Sequence, residues 1–293
     1  MRIRLDIAYD GTHFRGWAKQ PGLRTVQGTL EDALTRIVGS DAQLVVAGRT
    51  DAGVHASGQV AHVDLDDAQY ARLQSRHGRA ADDPAGSLAH RMRGALGAYP
   101  DVTVRRTAIA AEGFDARFSA VWRRYRYRLA DATSGYDPMR RHDTTAIKSA
   151  LDEQAMDAAA RTLIGLHDFA AYCKPREEAT TIRTLLDYRW MRDDHGVLIA
   201  EVKADAFCHS MVRALVGACA AVGEGRLEVA DVVRLRDELT RTSAFKVLAA
   251  RGLSLTEVGY PADELLASRA EQTRGRRSLP SDRLRGPDDE GDG

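Results

Sequence analysis

Between Val45 and His62 the chain reads VVAGRTDAGVHASGQVAH, two apolar runs enclosing one carboxylate, Asp51, two residues after Arg49. Gly48, Gly53 and Gly58 surround it, and glycine lets a backbone turn tightly and approach a ligand closely. A lone carboxylate beside a cation, on a loop held by flanking strands, suits covalent nucleophilic catalysis on an anionic partner. The competing use of such an aspartate is to cap a helix or close a turn. Metal chemistry is not indicated, because the nine histidines form no H-x-x-x-H or H-x-x-E-H pattern. Cys173, Cys208 and Cys219 are odd in number, scattered and without C-x-x-C spacing, so neither a disulfide framework nor a zinc ribbon is indicated.

Charge balances at 42 basic and 42 acidic residues, which argues against a general polyanion binder. The balance hides a cluster: seven arginines (105, 106, 117, 123, 124, 126, 128) lie between Arg105 and Arg128 against Glu112 and Asp115. A localised basic face on a neutral protein fits a specific nucleic-acid or phosphate partner. Within VWRRYRYRLAD, strand alternation puts Tyr125 and Tyr127 on one face and Arg124, Arg126 and Arg128 on the other.

The elements that position these residues alternate between strand and helix. RIRLDIAYD is a half-buried strand with Ile3, Leu5 and Ile7 on one face, and TVQGTLEDALTRIVG is a helix with Thr25 as N-cap and Gly39 as stop. The Asp51 stretch follows as strand, loop, strand. A helix from Asp66 to Ala98 is broken by the polar insert Ser75 to Ser87. VTVRRTAI and VWRRYRYRLAD are strands, residues 149–163 a helix, and TIRTLLDYRWMR and VLIAEVKADAF strands around a turn at Asp193 to Gly196. Helices over 209–222 and 229–240 and a last strand, LSLTEVGYP, complete the pattern.

This order predicts a mixed α/β or α+β protein, with a junction near residues 105 to 115. We divide it as 1–108, 109–264 and a tail from 265 that, being almost without large apolar residues, is expected to be disordered. No run approaches the roughly 20 apolar residues of a membrane span, and MRIRLDIAYDG is unlike a signal peptide, so a cytoplasmic protein is expected.

The block AGRTDAGVHASGQVAH resembles the signature of the tRNA pseudouridine synthase A family, whose nucleophile matches Asp51. The resemblance runs from about residue 3 to 261 through YDGTHFRGW, TVQGTLEDAL, GFDARFSAVWRRYRYRL, DAFCHSMVRALVG and RGLSLTEVGYP. Ala18 stands where glutamine is usual after GW, and the insert at Ser75 to Ser87 is longer than in many relatives. The resemblance implies two α+β domains related by a pseudo-twofold, each with a mostly antiparallel sheet flanked by helices, with a basic active-site cleft between them. It implies a homodimer and isomerisation of uridine to pseudouridine at positions 38 to 40 of the tRNA anticodon stem-loop. No cofactor or metal is implied, because the base leaves the sugar at N1, turns and rejoins through C5 without a redox step. The ionised carboxylate attacks C1′ or assists removal of the C2′ proton, and the residues are compatible with either.

By resemblance, Arg213 of HSMVRALVG is the cation that keeps Asp51 ionised where burial would oppose it. Tyr125 matches the tyrosine that stacks on the target base, whereas Tyr127 reads as a core strand residue. Arg49 is the candidate to fill the space left when the uridine leaves its stack. Leu253 reads equally as a floor under the base or as ordinary core. Two other classes stay open: a nucleoside or glycoside hydrolase, which normally needs a second acid or a calcium site, and a noncatalytic RNA-binding or RNA-folding protein that would tolerate loss of Asp51.

Overall fold

The computed structural model describes residues 1–76, 79–80, 83–175 and 180–274. In chain order these form β1 (Arg2–Tyr9), α1 (Val26–Val38), β2 (Leu44–Val46), β3 (His55–Asp64), α2 (Asp67–Gln74), β4 (Ser75–Arg76), β5 (Arg79–Ala80) and α3 (Pro84–Ala95). There follow β6 (Val102–Ile109), β7 (Trp122–Ala130), β8 (Thr145–Ala146), α4 (Glu153–Thr162), β9 (Gly165–Asp168), β10 (Ile182–Arg192) and β11 (Leu198–Ala204). The last are α5 (Met211–Gly223), α6 (Val229–Asp237), β12 (Leu253–Gly259) and α7 (Leu266–Arg274). The α+β class expected from the strand and helix patterns is the class observed. None of the described helices is long and apolar enough to cross a membrane.

The described chain divides into two compact units. The first comprises Met1–Arg126, Asp137–Thr145 and Ala250–Arg274, and the second Tyr127–Tyr136 and Ala146–Ala249. This is a different cut from one after residue 108. Residues 109–126 stay with the first unit, and β12 returns to it by pairing in parallel with β3, Ser254 opposite His55 and Leu255 opposite Ala56. A parallel pair needs a long crossover, which no local pattern announces.

In the first unit the strand order is β6-β1-β3-β12-β7, with β2 added to β3. Antiparallel register sets Ile3 against Val63 and Leu5 against Ala61 on one side of β1, and Ile3 against Ile109 on the other. Ile3, Leu5, Ile7 and Tyr9 therefore share the buried face that the period of two requires. The α1 helix covers this unit with Leu30, Ala33 and Leu34. Its ends follow the sequence signals: the Thr25 side chain accepts from Gly28 N–H at 3.2 Å, and Gly39 closes the helix at φ 83°.

In the second unit the order is β7-β11-β10-β9. The apolar α5, carrying Leu215, Val216 and Cys219, packs beside α4. Burial pushes the Cys219 thiol up to about 12, so it is an inert core group.

Three local expectations are corrected. The α3 helix starts at Pro84, inside the insert read as loop to Ser87, because Asp83 caps it by accepting from Gly86 N–H at 2.9 Å and proline is favoured at a first helical position. Residues 77–78 and 81–82 of that insert lie outside the described residues. Residues 266–274, read as disordered, form α7, where Leu266 and Ala270, one turn apart, are both buried. The Leu266 carbonyl also accepts from Ser119 Oγ at 3.0 Å. The remainder of that tail lies outside the described residues. Finally, Cys173 and Cys208 are joined in a disulfide, with Cα atoms 5.9 Å apart. Thirty-five residues separate them, and the Lys174 N–H bond to His209 O at 2.9 Å brings the two loops together.

Candidate active site

Asp51 lies on the loop between β2 and β3, partly exposed, at the point where the chain passes from one strand to its antiparallel neighbour. The entry to the loop is fixed from below. Ala47 N–H donates to Val60 O at 2.8 Å, and the Gln59 side-chain amide donates both to Gly48 O (2.9 Å) and to the Tyr9 oxygen (3.3 Å). The Tyr9 and Thr50 hydroxyls share a hydrogen bond at 2.7 Å. Gln59 is fully buried and burial pushes the Tyr9 phenol up to about 12, so this chain of polar groups is a neutral scaffold. Arg123 is buried as well, and its guanidinium donates to Ala47 O (2.8 Å) and Arg117 O (2.9 Å).

The loop itself is pinned from above by the YDGTHFRGW segment. Trp17 N–H donates to Thr50 O at 3.0 Å, Gly53 N–H donates to Phe14 O at 3.3 Å, and Val54 N–H closes a turn onto Asp51 O at 3.2 Å. Of the three glycines in the motif, Gly53 sits at φ 77° and Gly58 packs directly on the Thr256 backbone, whereas Gly48 faces open space. Gly11 was not singled out by the sequence reading, yet a β-carbon there would stand 2.0 Å from Val54 O, so only glycine allows this contact.

Tyr125 is buried on β7. Burial is the main cause that raises its phenol well above the ordinary tyrosine range; a second phenol, Tyr9, and the Asp51 carboxylate add to the rise and Arg123 opposes it. The first unit thus brings Tyr125 and Asp51 into electrostatic reach of one another. Arg49 is exposed on the same loop, and Leu253 is buried at the start of β12. Arg213 belongs to the second unit, in the first turn of α5, where its Nε–H donates to Leu248 O at 2.6 Å and Leu248 N–H returns a bond to the Arg213 carbonyl at 3.2 Å.

The arginine run is less uniform than its sequence suggests. Arg124 is ion-paired with Glu257 at 2.7 Å, Arg128 with Asp193 at 3.1 Å, and Arg123 is consumed by backbone carbonyls. Arg105, Arg106, Arg117 and Arg126 are exposed. Tyr127, fully buried and donating to Ala249 O at 2.8 Å, is the core strand residue expected.

Residues that the sequence reading passed over hold the loop most directly: Tyr9, Thr50, Gln59 and His55. Tyr9 continues the inward series Ile3, Leu5, Ile7, and an inward phenol needs a polar partner. That partner, Gln59, sits fifty residues further along, on the strand paired with β1.

Comparison with known proteins follows the same residues. The family model described as tRNA pseudouridine synthase matches residues 7–89 and 159–261. A tRNA pseudouridine synthase A of Leifsonia xyli subsp. xyli is 61% identical over 282 residues, covering 95% of this chain and 98% of that protein. Proteins of the same name from Frankia casuarinae and Streptomyces griseus are 53% and 50% identical, each over 96% of this chain and over 97% and 95% of their own lengths. With the Asp51 loop inside the matched region and the relatives aligned almost end to end, this chain belongs to the tRNA pseudouridine synthase family, whose members isomerise uridine to pseudouridine in tRNA.

Proposed function

We propose that this chain isomerises uridine to pseudouridine at positions 38 to 40 of the tRNA anticodon stem-loop, with Asp51 as the nucleophile. The observation that carries the reading is the loop bearing the single carboxylate of Asp51, whose backbone is held by hydrogen bonds on both sides, in a chain whose relatives match along nearly all its length. A loop fixed in this way is preorganised, since no loop ordering is needed when the sugar arrives.

The reaction breaks the N1–C1′ bond, turns the uracil and forms the C5–C1′ bond. A proton leaves C5 and N1 regains one, so atoms and electrons balance within the substrate. Entry by attack at C1′ or by removal of the C2′ proton uses the same ionised Asp51. Arg213 supplies the opposing cation in this reading, and Tyr125, whose phenol stays protonated, offers its ring to the base. Arg49, exposed beside the acid, occupies the stack that the flipped uridine leaves. The enzyme works as a homodimer in the cytoplasm, which lets one tRNA reach basic surface on both protomers and reconciles a neutral chain with a polyanionic substrate.

Incubation of purified protein with tRNA tritiated at uridine C5 tests the reaction class. Isomerisation releases tritium to water in proportion to pseudouridine formed, with no free uracil. Free uracil would identify a hydrolase, and binding without tritium release a noncatalytic RNA-binding protein.

A further inference from the structure

His55 opens β3 four residues after Asp51 and is 8% exposed. Its ring touches two segments remote in sequence. Gly11 N–H donates to Nδ1 at 3.0 Å, and Nε2 lies 3.0 Å from the Arg251 carbonyl, in the turn that leads into Leu253. A backbone N–H only donates and a carbonyl only accepts, so Nδ1 is the acceptor for Gly11 and Nε2–H the donor to Arg251. Asp10 Oδ1 also lies 3.0 Å from Nδ1 and accepts from Thr12 N–H (2.9 Å) and Thr12 Oγ1 (2.5 Å).

The loop that carries Asp51 is therefore fastened at two ends by different means. Tyr9 and Gln59 hold its entry at Gly48 and Thr50. Its exit is Val54 and His55, where Gly11 packs against the Val54 carbonyl and bonds the His55 ring. From there His55 reaches across to Arg251, beside its parallel neighbour Ser254 on β12. No other side chain among the described hydrogen bonds joins Gly11 to the Arg251 turn.

We infer that His55 is a positioning residue for the isomerisation: its two ring nitrogens clamp the exit of the Asp51 loop between Gly11 and Arg251, and so hold the carboxylate at the sugar. The inference rests on the reading of Asp51 as nucleophile. His55 touches no reacting atom in this role and transfers no proton. What it sets is distance, and a displacement of about 1 Å at a reacting group costs about 100-fold in rate.

Three variants separate this role from mere stability. His55→Asn keeps an acceptor near the Nδ1 position and gives up Arg251. His55→Gln puts an amide N–H near the Nε2 position and gives up Gly11. His55→Ala loses both. Single-turnover rates at saturating enzyme, tRNA affinity and melting temperature are measured for all three beside Asp51→Asn. We expect His55→Ala to slow the reaction about 100-fold, with Asn and Gln each recovering about tenfold of that. Affinity for tRNA should change less than about twofold, since no contact with the RNA is removed. If His55→Ala fails to fold, the Asn and Gln variants carry the test. Folded variants within about threefold of the wild-type rate, with Asp51→Asn inactive, would overturn the clamp and leave the nucleophile standing. Turnover by Asp51→Asn would instead overturn the reading beneath it. Rates that follow melting temperature alone, with Asn and Gln no better than Ala, would also refute a positioning role.

Discussion

At the scale of single residues, the loop of Asp51 stood out in the sequence because its neighbours were unusual. Glycines and an arginine crowded around one acid between two apolar runs made it the candidate for chemistry over capping or turn closure. Its supports were not legible, because each is an ordinary residue whose partner is distant in sequence. Gln59 looks like an unremarkable polar residue in a strand, yet it is fully buried with both amide protons placed, on Gly48 O and on the Tyr9 oxygen. Tyr9→Phe isolates one link of this chain. It removes the bond to Thr50 Oγ1 and leaves that hydroxyl and one Gln59 proton short of a partner, at a cost of about 1 to 2 kcal/mol in stability. The single-turnover rate should fall further than the lost stability explains, since Thr50 adjoins Asp51. Denaturant melts and single-turnover rates on the same preparation check both, and a rate unchanged in the folded variant would show that the entry of the loop tolerates the loss.

At the scale of elements, apolar periodicity identified nearly every long strand and helix, because a period of two or of 3.6 is a local property. It failed where stability is tertiary. The α7 segment reads as a polar tail, and its two buried residues, Leu266 and Ala270, make sense only once the Gly113 to Ser119 loop is in place. Leu266→Ala should therefore destabilise the protein by about 2 to 4 kcal/mol, a core value and not a tail value. A melting temperature unchanged by this substitution would return the segment to the status of a tail. A second element junction was equally silent. Burial opposes ionisation of the Asp131 carboxyl at the end of β7, yet the Arg192 guanidinium and the N–H groups of Ser134 and Leu151 hold it well below the usual carboxylate range. A depressed folded value means that the pair stabilises the fold fully above the unfolded value of about 3.9 and loses that contribution as pH falls below it. Asp131→Asn should cost about 3 kcal/mol at pH 7, and the gap from wild type should narrow steadily below about pH 4. Denaturant melts of both proteins across pH 3 to 7 measure the gap; a gap constant with pH would assign it to shape and not to charge.

At the scale of the whole molecule, class and family were readable from the order of the motifs, while the path of the chain was not. The parallel pairing of β12 with β3 draws residues 250–274 back into the unit of the N-terminus, so that RGLSL lies against the histidine of GRTDAGVH. Two motifs nearly two hundred residues apart are thus one piece of structure, which explains why a linear division after residue 108 did not follow the contacts. The groups that hold the Asp51 loop in its unit thus come from segments remote in sequence, and the chemistry is proposed for that loop's single acid. Carbodiimide mapping of pseudouridine in a tRNA bearing uridine at positions 38 to 40, treated with wild-type protein or with Asp51→Asn at equal tRNA occupancy, tests this directly. The account predicts modification at those positions by the wild type and none by a folded, tRNA-binding Asp51→Asn; pseudouridine formed by the variant at the wild-type rate would contradict it.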